Sequence, residues 1–434
     1  MTEELDDWIE GQLARSAKAL ARAISATDLT RTRAPFGRTV IPAKGSVLAS
    51  PVIADWNPEP DYFFHWVRDA AIAMRAVAEL TAFATCAEER WHQVFNECVE
   101  FSLALARMDP PAVPASPREA TDIEFRKFLR SDAPLSQDAL LGEPRFNPDG
   151  TVDFLGWSRP QFDGPALRAL ACLRYLTLGG VLTDNIAALL QIDLAFTLRH
   201  AGQPCIGPWE EPDERTHHYF VGVVQLGALV HGKAMAKNAT AVQAGIEALG
   251  ASLELHWSHR HRVYLAMRPA DAAPEDLTDA AALLAVLDAD LPDGTHSVRD
   301  PRFQETQNKI EAMFAKELPI NHARPAECGP ALGRNRADRY FGGGAWYATT
   351  LAAAAIYYRR ALCAGEDAAV LLRRGDNFMA TVRWLTPDDG ALSEQVDRVS
   401  GRQTSARHLT WSYAAFVTAA CLRRHALEKR GSAL

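Results

Sequence analysis

Trp346-Tyr347-Ala348-Thr349-Thr350-Leu351-Ala352-Ala353-Ala354-Ala355-Ile356 carries no charge and shows no polar stripe. A helix that is apolar all round has to be buried on every side. Trp411 to Leu422 reads the same way, as do the segments about 69–80, 165–178, 217–236 and 277–288. Between them lie amphipathic helical patterns, at about 4–26, 87–108, 183–200, 238–256, 302–316 and 366–383, with apolar residues at i, i+3, i+4 spacing. Twelve helices therefore alternate, covering then buried, with helix ten at 345–360 and helix twelve at 406–427. Strand patterns are weak throughout, so the chain reads as all-α. The connections into the buried helices are mostly long and rich in Trp, Arg, Asp and Glu, whereas most others are short, such as Gly179-Gly180. Two nested rings of six antiparallel helices satisfy both regularities. All long loops then fall on one face, over the positive ends of the inner helix dipoles.

Composition narrows the function. The 434 residues are 48% hydrophobic and 23% charged, with a net charge of −8 and no basic cluster. That balance disfavours nucleic acid and an anionic membrane surface as partners but not a neutral substrate. The acidic opening Met1-Thr2-Glu3-Glu4 lacks a signal peptide's basic and apolar regions, and no run is apolar enough to span a bilayer. Seven scattered cysteines without C-x-x-C spacing read as free thiols, which makes the cytoplasm the expected location. One domain across 1–434 is expected, with the first outer helix inside 1–30 and no starch-binding or β-sandwich module.

The long loops repeat one combination of side chains. They hold Asp61-Tyr62-Phe63-Phe64-His65-Trp66-Val67-Arg68-Asp69, Trp157-Ser158-Arg159-Pro160-Gln161-Phe162-Asp163, Trp209-Glu210-Glu211, Gly333-Arg334, Tyr340 to Trp346, Ser393-Glu394-Gln395 and Ser405 to Tyr413. Aromatic faces cover the C–H side of a pyranose, and Arg/Asp groups bind its hydroxyls. Two acids from different loops can flank a glycosidic bond, one donating a proton and one activating water. Burial is expected to raise the donor's pKa while a hydrogen-bonded setting keeps the base ionised.

These segments, from about residue 45 to residue 420, resemble the glucoamylase family of glycoside hydrolases (family 15). The resemblance implies an (α/α)6 barrel, inversion at the anomeric carbon, and neither metal nor cofactor. It implies Glu210 as general acid, Glu394 as general base and Tyr62 as its helper. It further implies Arg68, Asp69, Glu211 and Arg334 as contacts to sugar hydroxyls, with Trp66, Trp157 and Trp411 as pocket walls. Fungal members carry Asp-Leu where this chain has Gly207-Pro208, and an acid where it has His408. These departures leave both acids in place and bear on linkage and chain length. The expected activity is release of terminal α-glucosyl units as β-glucose from α-1,4- or α-1,6-linked gluco-oligosaccharides. An isomaltose-type α-1,6-glucosidase and a trehalase are the alternatives within the family, and a non-catalytic saccharide-binding toroid the alternative outside it. A small oligosaccharide is the expected partner, and the oligomeric state is open.

Simpler readings compete at several positions. Trp411 reads as pocket wall but Trp346 as core. Asp163 before Gly-Pro reads as a helix cap, and Arg68-Asp69 on their own as a structural ion pair. His217-His218 read as solvated or capping histidines, since neighbours point apart on a helix and no third ligand is spaced to join them. His256, His259 and His261 lie close enough to look metal-like but, at a helix end with Arg260 between the last two, read as polar surface.

Overall fold

The computed structural model describes residues 2–54, 59–83, 88–110, 117–131, 135–211, 215–268, 278–363 and 367–431. Helices account for most of it: α1 Thr2–Ala23, α2 Val67–Phe83, α3 Glu88–Ala106, α4 Gln137–Leu141, α5 Gly164–Thr177, α6 Asp184–Arg199, α7 Tyr219–Gly232, α8 Ala239–Glu254, α9 Ala281–Ala289, α10 Pro301–Glu317, α11 Tyr347–Cys363, α12 Ala368–Leu385 and α13 Thr410–Gly431. The inner ring runs α2, α5, α7, α9, α11, α13, each packed on the next, and α13 closes back on α2. Outside it, α1 covers α13, α3 covers α2, α6 covers α5, α8 covers α7 and α12 covers α11, while α10 lies against α9 and the Val263–Tyr264 segment. This is the (α/α)6 barrel that the alternation predicts. The short α4, five residues capped by Ser136, was not expected and sits inside a long connection.

Three of the inner helices start later than periodicity alone predicts, whereas α2 and α5 start one or two residues earlier, at Val67 and Gly164. Expected starts at 217, 345 and 406 become Tyr219, Tyr347 and Thr410. The residues just ahead of two of them are paired as strands: His217–His218 against Met267–Arg268, and Ala345–Trp346 against Gln395–Val396. Ahead of α13, Ser405 and His408 have φ of 64° and 50°, which a helix cannot hold. His65–Trp66 likewise pairs with Arg145–Phe146 ahead of α2. These two-residue ladders are too short to leave an alternation signal. They anchor the long loops over the barrel mouth. The expected helix starts at 87, 277 and 366, with Cys86 and Pro111, lie outside the described residues. Six cysteines are described, all free, and five of them are buried.

Below the mouth the barrel is filled. Ala73, Met74, Ala76, Ala166, Ala169, Ala285, Ala353 and Ala354 are among the inner-helix residues with essentially no exposure, and they belong to one continuous apolar cluster. Toward the other end, Arg75 meets Asp288 and Asp290, Arg359 also pairs with Asp290, and Arg174 pairs with Glu79. Small side chains let these helices approach closely. A Cβ on Gly227 of α7 would lie 2.6 Å from the carbonyl oxygen of Ala289 on α9. Gly227→Ala is therefore expected to destabilise the barrel by about 1–3 kcal/mol, despite alanine's better helix propensity. Urea unfolding checks it, and a variant as stable as the parent would show that α7 and α9 have room to part.

Candidate active site

The loops over the inner N-termini enclose a pocket of about 240 Å³. All ten residues expected at the site line it: Tyr62, Trp66, Arg68, Asp69, Trp157, Glu210, Glu211, Arg334, Glu394 and Trp411. Trp346, expected in the core, lines it too, although it is only 5% exposed. The strand pairing of Trp346 with Gln395 turns the indole toward the mouth. Its Nε1 is buried with no hydrogen-bond partner among the described residues. A second chamber of about 510 Å³ adjoins the pocket, sharing Pro208, Trp209, Glu210, Glu211 and Tyr340 with it. Met267, Phe220, Asn335 and Asp338 are among its other walls.

Glu210 sits on the turn before α7 with φ of 60°, a left-handed conformation that non-glycine residues seldom adopt. Its carboxylate is held by four donors. Trp66 Nε1 reaches both oxygens at 3.0 and 3.2 Å, Trp157 Nε1 donates at 2.6 Å, Arg68 Nη2 at 2.9 Å and Gln161 Nε2 at 2.9 Å. Ser158 Oγ donates to its main-chain carbonyl at 2.9 Å. Three loops, ahead of α2, α5 and α7, thus converge on one side chain. Glu211, next along, is half exposed and lies 3.5 Å from Arg334.

Glu394 comes from the loop ahead of α13. Tyr62 Oη donates to Oε1 at 3.2 Å and Ser405 Oγ to Oε2. Tyr62 and Tyr340 share a hydrogen bond of 2.7 Å between their hydroxyls. Burial pushes the Glu394 carboxyl up to about 7, against the pull of Ser405, Arg334 and Tyr62. Hydrogen bonding is expected to keep the base ionised, yet burial outweighs it, because Glu394 is sealed beneath the loops at 4% exposure. Ser405→Ala removes a donor to the ionised form. It is expected to move the acid limb of the pH–rate profile, set by ionisation of the base, upward by about one unit, since a hydrogen bond to a charged group contributes about 1.5–3 kcal/mol. An unmoved limb would show that Ser405 does not tune this carboxyl.

Arg68 and Asp69 depart from the ion pair that adjacency suggested. The Arg68 guanidinium bonds Asp163, Gln161 and Glu210 instead. Asp163 accordingly makes no capping bond to α5. Burial pushes Asp69 up to about 7, opposed by Arg68 and assisted by Glu210. Arg334 is held in a fork by Asp338, within an enclosure of Trp209, Tyr340 and Trp346 rings centred 5.2–5.6 Å away. Asp279, at the start of α9, accepts from Trp209 Nε1 at 2.8 and 3.0 Å and from Asn335 at 3.0 Å. Sequence reading singled out neither Gln161, Ser405, Tyr340 and Asp338 nor Asp279 as site residues. Their roles lie in bonds between loops, which no local pattern encodes. Among these histidines, His218 is buried and makes no side-chain capping bond to α7, and His256 is buried and held down to about 3 by that burial, so neither is surface. No group of metal-ligating side chains occurs among the described residues.

A toroid of six helical hairpins that gathers two carboxyls and a wall of tryptophans over its inner N-termini has the architecture of a carbohydrate-active protein. The chain belongs to the glycosyl hydrolases of family 15, whose sequence profile matches residues 36–373 and 369–421. It is 27% identical over 434 aligned positions to a protein named Glucoamylase from Neurospora crassa, covering 88% of this chain and 64% of that one. Similarity to Glucoamylase 1 of Rhizopus oryzae is 24% over 83% of this chain and again 64% of the relative. The chain thus spans just under two thirds of the length of these curated relatives. An intracellular, sporulation-specific glucoamylase of Saccharomyces cerevisiae is 23% identical, over 98% of this chain and 85% of that protein. The solved glucoamylase of Saccharomycopsis fibuligera superposes with a TM-score of 0.77 at 22% identity, over 98% of this chain and 96% of that one.

Proposed function

We propose that the protein is an inverting, exo-acting α-glucosidase of the glucoamylase type. One observation carries this reading: both acids face a pocket that ends blindly on the filled barrel, and Glu210 stands where that pocket meets the second chamber. A blind pocket takes the end of a saccharide rather than its middle. With the terminal glucose inside, the scissile oxygen lies at the junction, beside Glu210, and the departing sugar lies in the second chamber. Glu394 lines the inner pocket and not the chamber, the side from which water must attack.

The chemistry follows from that placement. Glu210 gives its proton to the glycosidic oxygen as the C1–O bond breaks. Water adds to C1 from the opposite face and yields its proton to Glu394, leaving β-glucose and a saccharide one unit shorter. Arg68, Asp69 and Arg334 bind hydroxyls of the terminal glucose, Glu211 the sugar across the bond, and Trp66, Trp157 and Trp411 cover the ring faces. Tyr62 holds Glu394 toward the water. The relatives' names support glucoamylase-type action over an isomaltose-restricted enzyme or a trehalase. The scattered free cysteines support a reducing compartment, the cytoplasm, and fractionation that recovers the protein elsewhere would remove that placement.

Incubation with maltose, isomaltose, maltotetraose and trehalose, followed by proton NMR, tests the activity. β-Glucose is expected to appear first from maltose or isomaltose. No glucose from any of the four would overturn hydrolysis and leave the saccharide-binding toroid, and initial α-glucose would overturn inversion.

A further inference from the structure

Arg145 has no exposure at all, and its guanidinium lies under the site just described. Strand pairing sets it directly opposite Trp66. The guanidinium carbon is 3.7 Å from the ring centre of Trp157, 4.7 Å from that of Trp66 and 4.1 Å from that of Phe64. Arg33 covers Phe64 as well, at 3.9 Å. A column of Arg33, Phe64, Arg145 and the two indoles therefore runs inward to Glu210. Only Nε of Arg145 finds a hydrogen-bond acceptor among the described residues, Asp153 at 2.7 Å, and both Nη atoms are buried without one. Two unmet donors cost stability. Cation–π contact returns part of that cost, and more so where water is excluded.

A cation against an indole face has two effects. It draws electron density from the ring, making the N–H edge a stronger donor. It also fixes the plane: the two indoles stand at 77° with centres 5.8 Å apart, and one guanidinium can touch both only with both rings held. Those same N–H groups, Trp66 at 3.0 Å and Trp157 at 2.6 Å, are two of the four that orient the Glu210 carboxylate. Glu210 cannot set its own direction from a left-handed turn at the end of a loop.

We infer that Arg145 is a positioning residue for the proton donor, acting through Trp66 and Trp157, neither touching the sugar nor exchanging protons. The inference rests on Glu210 being that donor. It differs from a merely structural role, in which Arg145 would only tie Asp153 to the fold.

Leaving-group dependence separates the two. A disaccharide needs its departing oxygen protonated, whereas α-glucosyl fluoride loses fluoride without an acid. Arg145→Met is expected to lower kcat on the disaccharide by about 30-fold or more, with KM within about threefold, while hydrolysis of the fluoride falls by less than about threefold. Arg145→Lys, which returns the charge without the plane, is expected to fall between, and it carries the same comparison should the methionine variant not fold. Equal losses on both substrates would make Arg145 structural, and no loss on either would make it idle. A second readout needs no turnover. The difference in tryptophan emission between the parent and Glu210→Gln is expected to shrink by at least half on the Arg145→Met or Arg145→Lys background. An undiminished difference would uncouple Arg145 from Glu210. Failure of the function itself reads differently: the unsubstituted protein would release glucose from neither substrate class.

Discussion

Glu394→Gln is expected to lower kcat on a gluco-disaccharide by about 10²–10⁴-fold, the usual contribution of a general base. It is also expected to make the protein more stable above neutral pH. Glutamine has the shape of the acid, accepts the Tyr62 hydrogen bond and can exchange one with Ser405, so the loop has no reason to move. What it cannot do is take a proton from water. The stability effect follows from burial. Glu394 is raised from 4.5 to about 7 in the folded protein. A carboxyl raised on folding supplies its stabilisation below its unfolded value and loses it as pH rises through the folded one. The parent therefore carries a penalty that grows between pH 4.5 and 7, and the amide removes it. At about 1.4 kcal/mol per unit, the gain at pH 8 approaches about 3 kcal/mol, fading toward pH 4.5. Loss of turnover with gain of stability is the signature of a group retained for function against its folding cost. In the parent, Glu394 has to be ionised to take a proton from water, so activity is expected to rise as pH climbs through about 7. Rate profiles and urea unfolding at pH 5 and 8 check both halves. A variant with near-parental turnover would remove Glu394 from the base role.

The barrel was legible because its signal is long. All buried helices but α9 repeat for three turns or more, and segments such as Trp346 to Ile356 or Trp411 to Leu422 cannot be placed in any outer layer. The site was legible as a set of loops, since Trp, Arg and Glu in polar connections have few structural uses together. What stayed hidden was cross-chain. Arg68 bonds Asp163, 95 positions away, not its neighbour Asp69. Trp346 opens an apolar helix in sequence, yet a two-residue ladder with Gln395 directs it to the pocket. Arg145 sits in Glu143-Pro144-Arg145-Phe146, where nothing local marks a cation destined to lie against two tryptophans. Burial was misjudged for the same reason, since which acid is sealed depends on loops that meet only in the folded chain.

Arg68→Met should then be the most disruptive change in the pocket, removing support from several acids at once. Its two Nη atoms bond Asp163, Gln161 and Glu210, and its charge opposes the burial of Asp69. Taking away one partner of a buried ion pair leaves the other charge uncompensated and costs about 3–5 kcal/mol. The penalty is expected to depend on pH. Asp69 stands at about 7 even with Arg68 opposing its burial, and without that cation it rises further. A carboxyl raised on folding destabilises progressively above its unfolded value of 3.8, so the variant loses more at pH 8 than at pH 5. Activity is expected to suffer beyond what unfolding explains. Glu210 loses its charged donor, and the terminal glucose loses a hydroxyl contact. Together these are expected to lower kcat/KM by about 10²–10³-fold in the folded fraction, in the range measured for truncated charge pairs. Asp163→Asn is the companion variant, because it weakens the pair from the side away from Glu210. It is expected to destabilise the protein while sparing most of the turnover per folded molecule. If both variants lose stability alone, with turnover per folded molecule intact, Arg68 is a structural cation and the terminal sugar must be held by other groups in the pocket.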